Sequence, residues 1–257
     1  MAYAWQVLAG FELSRVDLAL LCQRAENDFV GMKCGIMDQF VAALGRRGHA
    51  LLIDCRSLEY QLIPLPAEAV IVVADTMKRR GLVDSEYNTR RRECEEGVRI
   101  LQQYLPEVRA LRDVSVNQFV EHEEKLRGKV RQRCRHVVYE NERVLESVAA
   151  LRAGNLAVFG RLMNESHISL REDYEVSCPE LDIMVEAAWK VEGVYGSRMT
   201  GAGFGGCTVS LVAEEAIEDF GVKVAAAYQK ATGIVPKIYV CRAEDGVSKL
   251  SGQLLAC

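Results

Sequence analysis

Apolar positions recur along this chain with two different spacings, and the switches between them outline its elements. The stretch AYAWQVLAGF at 2–11 is apolar and helix-like from its second residue, with no Ser, Thr, Asp or Asn placed to cap it. The chain is therefore expected to begin inside a helix. Residues 14 to 28 predict a second helix: Ser14 is a capping residue, and Val16, Leu20, Leu21 and Phe29 mark an apolar stripe. Gly31 and Gly35 end it. The spacing then shortens, and HALLID (49–54), YQLIPL (60–65) and VIVVAD (70–75) read as strands. The last is apolar at nearly every position, which predicts a central place in a sheet.

After Asp75 helical spacing returns. Residues 86–104 predict a charged helix, and 129–152 a longer one with Val130, Cys134, Val137, Val138, Val144, Leu145, Val148 and Leu151 on one side and Gly154 closing it. Asn155 is placed to cap a helix running through Arg171. Ser177 and Glu180 have the spacing of a capping box, opening a helix to about Glu192. The Gly-rich RMTGAGFGGC is expected between that helix and a strand, CTVSLVA, followed by a helix over 214–231 and a strand, PKIYVC. No repeat or low-complexity tract is present, and a domain boundary near residue 68 rests on the change of pattern.

Composition narrows the function classes. Of 257 residues, 49% are apolar and 26% charged, enough for a sizeable core in a soluble chain. A net charge of −4 argues against a nucleic-acid partner. Nine cysteines, with no C-x-x-C pair and no Cys/His cluster at zinc-ligand spacing, read as reduced and mostly buried thiols. No apolar run reaches the roughly 20 residues needed to span a bilayer, and the opening lacks a basic n-region, so a cytoplasmic protein without a membrane partner is expected.

Candidate chemistry starts at CGIMDQF, 34–40, where Asp38 stands between Ile36, Met37 and Phe40. A carboxylate in that setting is expected to lose hydration on folding, and then needs hydrogen-bond partners or a chemical role. Glu26 is close enough in sequence to share a pocket with it, although a glutamate on a helix flank is ordinarily solvated. The glycines of TGAGFGG, 200–206, allow close approach to a ligand, or simply a tight turn; the stretch matches neither the Walker pattern nor the dinucleotide fingerprint. Arg79, Arg80 and Tyr87 follow a strand end, where sites are common and basic turns equally so. His167 reads as a helix-face residue.

Taken in order, AENDFVGMKCGIMDQFVAALGRRGHALLIDCRSLEY, SEYNTRRRECEEG, LMNESHISLREDYEVSCPELD and GSRMTGAGFGGCTV resemble galactokinases, sugar 1-kinases of the GHMP superfamily, over nearly the whole chain. The resemblance implies an α+β, two-domain GHMP-kinase fold with the first domain incomplete: a remnant of the nucleotide- and sugar-binding domain over 1–67 and a C-terminal domain over 68–257. It implies ATP and Mg²⁺ as cofactors, α-galactose as the acceptor, and a monomer at full length.

By the same resemblance Asp38 is the base facing the anomeric hydroxyl, and Arg79 is the basic residue near it. Gly35, Tyr87, Gly201 and Gly203 line the sugar site, and Glu26 binds Mg²⁺. Gly201, Ala202, Gly203 and Gly205 belong to the loop against the phosphates. Many relatives carry glycine where this chain has Ala202. An upstream sugar-binding signature and a Gly/Ser-rich phosphate loop, both usual in the family, do not occur in these residues. The stretch is therefore expected to be the C-terminal portion of a galactokinase, without turnover by itself, because phosphoryl transfer depends on that loop's donors. Two alternatives stand beside a galactose kinase: a kinase for N-acetylgalactosamine or galacturonate, and a non-catalytic galactose sensor.

Overall fold

The computed structural model describes residues 1–31, 34–79 and 83–249, with the side chains of 83–85 left aside; Arg80 lies outside the described residues. The chain divides into two compact units, one of 1–65 joined by the C-terminal residues from 242, the other of 66–241. The C-terminal stretch thus packs with the start of the chain rather than with the domain expected over 68–257.

In the first unit, α1 (Ala2–Ala9) ends at Gly10, and α2 (Arg15–Arg24) is capped by Ser14, whose Oγ accepts from Asp17 N at 3.0 Å. The expected stripe on this helix is only partly right. Leu18 and Ala19 are buried, Val16 and Leu20 pack partly, and Leu21 and Phe29 are exposed, Phe29 by 93%. The helix passes into a single π-helical turn, Ala25–Val30, and that wider winding rotates Phe29 off the stripe. Helix α3 (Met37–Leu44) buries Phe40 and Ala43, and β1 (His49–Ile53) pairs antiparallel with β2 (Tyr60–Pro64).

The C-terminal residues return to α3 and the turn after it. Gly48 N donates to Ala243 O, Gly246 N to Gly45 O and Val247 N to Ala42 O, and Arg47 pairs with Glu244 at 2.8 Å. Nothing in the spacing of apolar residues marks this return, because it is made by backbone groups and exposed charges.

The second unit is built on a four-stranded antiparallel sheet in the order β4 (Val194–Met199), β5 (Cys207–Ala213), β3 (Ala69–Asp75), β6 (Lys237–Cys241). β3 has neighbours on both sides and buries Val70, Val72 and Ala74, as its apolar run implies. One face is covered by α8 (Pro179–Ala188) and α9 (Ile217–Thr232), through Met184, Ala188, Phe220, Val224 and Tyr228. The other meets α7 (Leu156–Glu172) through Leu156, Phe159 and Met163. Helices α4 (Val83–Leu101), α5 (Val116–His122) and α6 (Gly128–Arg152) add a helical layer with its own core around Leu101, Phe119 and Leu126.

Four expectations change here. VYGSRM, which carries no strand signal, is the edge strand β4. Gly160 and Gly196 let α7 lie directly on it: a Cβ on Gly160 would stand 2.0 Å from Tyr195 O. The capping box at Ser177 does not form; Cys178 is the N-cap, Ser177 Oγ donates to Asp182 at 2.5 Å, and Glu180 pairs with Lys78 instead. Helix α6 turns Val144 and Leu145 to solvent and buries Arg133 and His136, because its neighbours α4 and α7 offer acceptors there. Among the described residues the eight cysteines are free thiols, but only Cys134 is fully buried.

Candidate active site

The residues singled out from the sequence fall into two groups, one in each unit. In the first, the π turn places half-buried Glu26 at its start and ends at Gly31. The segment leading to α3 is pinned at Cys34, whose carbonyl accepts from Gln23 Nε2 at 3.3 Å and whose Sγ lies 3.7 Å from Gln39 Nε2. Helix α3 then starts with Ile36 and Phe40 turned inward beside Ala19, the hydrophobic anchor of this turn.

The expected loss of hydration at Asp38 does not occur. Once Ile36, Phe40 and Ala43 define the buried stripe, Met37 and Asp38 point outward, and Asp38 is exposed in the first turn of α3. Gly35 is exposed next to it, with open space where a Cβ would stand. Among the described residues no three His, Cys, Asp or Glu side chains come together to hold a metal. A single carboxylate such as Glu26 fits a hexacoordinate cation that brings phosphate oxygens and waters, and does not fit a protein-only cage.

The second group gathers at one end of the sheet, where the Gly-rich stretch connects β4 to β5 rather than a helix to a strand. Thr200 N donates to Cys207 O at 3.0 Å and closes the loop. Gly201, Gly203, Phe204, Gly205 and Gly206 all have φ between +58° and +129°, whereas Ala202 does not share that region, so alanine is accommodated there. Gly203 has no substitute: φ is +83°, and a Cβ would stand 2.0 Å from Val176 O. Gly201 is exposed and Ala202 half-buried, while Gly203 and Gly205 are buried.

The end of β3 is stitched to the loop. Thr76 N and Oγ donate to Gly206 O at 3.0 and 2.6 Å, and Gly206 N donates to Lys78 O at 3.4 Å. Exposed Arg79 therefore follows directly on a segment that borders the loop. Lys78 Nζ holds Glu180 at 2.7 Å and keeps that carboxyl below the usual carboxylate range. Tyr87, in α4, is exposed.

Beneath β4, His167 lies on helix α7 as expected, but on its inward face, where it is completely buried. Its Nδ1 accepts from Met199 N at 3.2 Å, which leaves the proton on Nε2. Nε2 lies 3.3 Å from Asp182 Oδ1, off the line of a good hydrogen bond, and Trp189 meets the ring edge-on. Burial pushes the Asp182 pKa up, but the contacts from His167 and Ser177 outweigh it and hold it below its ordinary value. Thr76, Lys78 and Val176, which shape the loop, carry no sequence signal.

Two family descriptions match the chain, "GHMP kinases N terminal domain" over residues 1–46 and "GHMP kinases C terminal" over 147–230. Galactokinase of Roseiflexus sp. (strain RS-1) is 55% identical over 97% of this chain and 64% of its own length. The chain belongs to the GHMP kinases. Galactokinase of Bacillus subtilis (strain 168) is 44% identical over 94% of this GHMP kinase chain and 62% of its own length. Lactococcus lactis galactokinase complexed with galactose superposes with a TM-score of 0.92 at 38% identity, covering 96% of this chain and 64% of that one. A mevalonate kinase shares the fold, with a TM-score of 0.57 at 19% identity. The chain spans a little under two thirds of the length of these relatives.

Proposed function

We propose that this GHMP kinase chain is part of an ATP-dependent galactokinase, in which Asp38 removes the proton from the C1 hydroxyl of α-D-galactose. The observation that carries the reading is the likeness to the galactose-bound Lactococcus lactis enzyme across nearly the whole chain. As the C1 oxygen bonds to the γ-phosphorus of ATP, the O–H proton passes to Asp38, the bond from phosphorus to the β-bridging oxygen breaks, and ADP leaves. An exposed acid in the first turn of a helix suits this role, because it is open to an incoming hydroxyl.

Gly35, which offers open space beside Asp38, is assigned to the sugar, together with Tyr87, Gly201 and Gly203. Arg79 is assigned as the basic partner of the reaction, and the 201–205 backbone to the phosphates. Mg²⁺, when bound with ATP, supplies charge neutralisation at the phosphate oxygens, and Glu26 is the residue that would hold it. We assign the first unit to the nucleotide- and sugar-binding domain and the second to the C-terminal domain.

The test is a coupled ADP-release assay on a chimaera joining this chain to the part of the Roseiflexus galactokinase outside the match. Asp38→Asn is expected to reduce turnover by about 10²-fold or more, the usual size of general-base catalysis. Turnover of the variant above about a tenth of the parent would refute the base assignment. A panel of galactose, N-acetylgalactosamine and galacturonate separates the galactose reading from its relatives.

A further inference from the structure

The Gly-rich loop rests on a side chain that the sequence presents as one more charge on helix α4. Arg90 is 7% exposed. Its Nε donates to Tyr174 O at 2.7 Å, its Nη2 to Glu175 O at 2.8 Å and its Nη1 to the Glu86 carboxylate at 3.1 Å. One planar guanidinium thus holds two consecutive carbonyls of a turn in which Glu175 has φ of +53°. From the other side, buried Arg133 donates to Asp173 O and to the carboxylates of Glu175, at 2.7 Å, and Glu93, at 2.9 Å.

The next carbonyl along, Val176 O, is the seat of the loop. It accepts from Phe204 N at 2.8 Å and is the atom that a Cβ on Gly203 would strike. The Phe204 ring packs among Leu170, Val176, Leu181 and Met199, and the Arg90 guanidinium carbon lies 5.9 Å from its centroid. Arg90 therefore reaches the loop twice, through the Val176 carbonyl and through the ring face.

We infer that Arg90 is a positioning residue for the Gly-rich loop: its fork on the Tyr174 and Glu175 carbonyls sets Val176 O, and thereby the conformation of residues 203–206. Lysine would keep the charge but, as a point cation, cannot span two carbonyls. The catalytic consequence rests on the galactokinase reading; the conformational claim is measurable without a ligand.

The experiment is amide hydrogen exchange on this chain, unmodified and as Arg90→Lys and Phe204→Leu. Exchange over 200–206 is expected to rise about tenfold or more in Arg90→Lys, the size set by hydrogen bonds to a charged group, while β3 and α9 keep their rates. Phe204→Leu, with Arg90 intact, is expected to loosen the same stretch. Wild-type exchange over 200–206 in Arg90→Lys overturns the inference. So does an equal rise across β3 and α9, which would make Arg90 a general stability residue. In the chimaera, Arg90→Lys is expected to lower kcat about tenfold with the galactose KM little changed; an unchanged kcat overturns the catalytic consequence. A parent chimaera without sugar-dependent ADP release refutes the galactokinase reading and leaves the exchange result to decide the role of Arg90.

Discussion

The two units bury their apolar residues on different terms. In the second, α7, α8 and α9 close on both faces of the sheet, and Val72, Val224 and Tyr228 have no exposed surface. In the first, the buried apolar residues among those described are Leu18, Ala19, Ile36, Phe40, Ala43 and Ile63. Helix α1 buries none of its residues although all but Gln6 are apolar; Trp5 is 63% and Leu8 79% exposed. Apolar spacing therefore reports a capacity for burial, and a matching surface must be present to use it. A four-stranded sheet with helices on both faces supplies that surface, whereas a two-stranded one such as β1–β2 does so poorly.

The two tryptophans make this difference measurable, since Trp5 lies in the first unit and Trp189 in the second. In a Trp5→Phe background, Phe220→Ala is expected to lower the stability reported by Trp189 fluorescence in urea by about 3–5 kcal/mol. Phe40→Ala, in the first unit, is expected to leave that Trp189 transition within about 0.5 kcal/mol. Equal shifts would show the two units unfolding as one and end the comparison.

A pH series sharpens it from the second unit alone. Burial pushes the His136 pKa down to about 4, and its ring is held by Ser169 Oγ at 3.0 Å and lies against Tyr174. Between pH 6.5 and 4 the unfolded chain takes up a proton there that the folded chain refuses, so acidification through that window should remove up to about 3 kcal/mol. Glu175, held low by Lys129 and Arg133, contributes stability that is lost only as pH falls below its ordinary value of 4.5. His136→Gln is expected to flatten the Trp189 stability curve between pH 6.5 and 4.5; an unchanged slope would move the effect to another group.

Two smaller effects probe close packing against exposure. Gly160→Ala forces a methyl against Tyr195 O where α7 meets β4, and a loss of about 2 kcal/mol is expected in the same melt. Leu8→Gln and Phe29→Gln should change stability by less than about 0.5 kcal/mol, because neither side chain is buried. Light scattering is expected to show less self-association in both. A large loss of stability from either would mean that the first unit uses that surface in its own fold.

Local signals in the sequence carried most of the elements. Ser14 and Asn155 cap α2 and α7 as their spacing implies, and the unbroken apolar run of β3 states its central place. The motif around Asp38 and the glycines of 201–206 pointed to a candidate site only through their resemblance to galactokinases, since each alone reads equally well as an ordinary helix start or a tight turn. Tertiary structure decided the rest. It made VYGSRM a strand by pairing it with β5 and seating it on Gly160. It brought the C-terminal residues back to α3 through backbone bonds, and it exposed Asp38 by turning Ile36 and Phe40 inward. It also selected Arg90, from a run of three arginines, to hold the turn beneath the loop. Periodicity and capping act over a few residues along the chain, whereas burial and carbonyl recognition depend on a surface that arrives from far along it, as residues 174–176 arrive at Arg90.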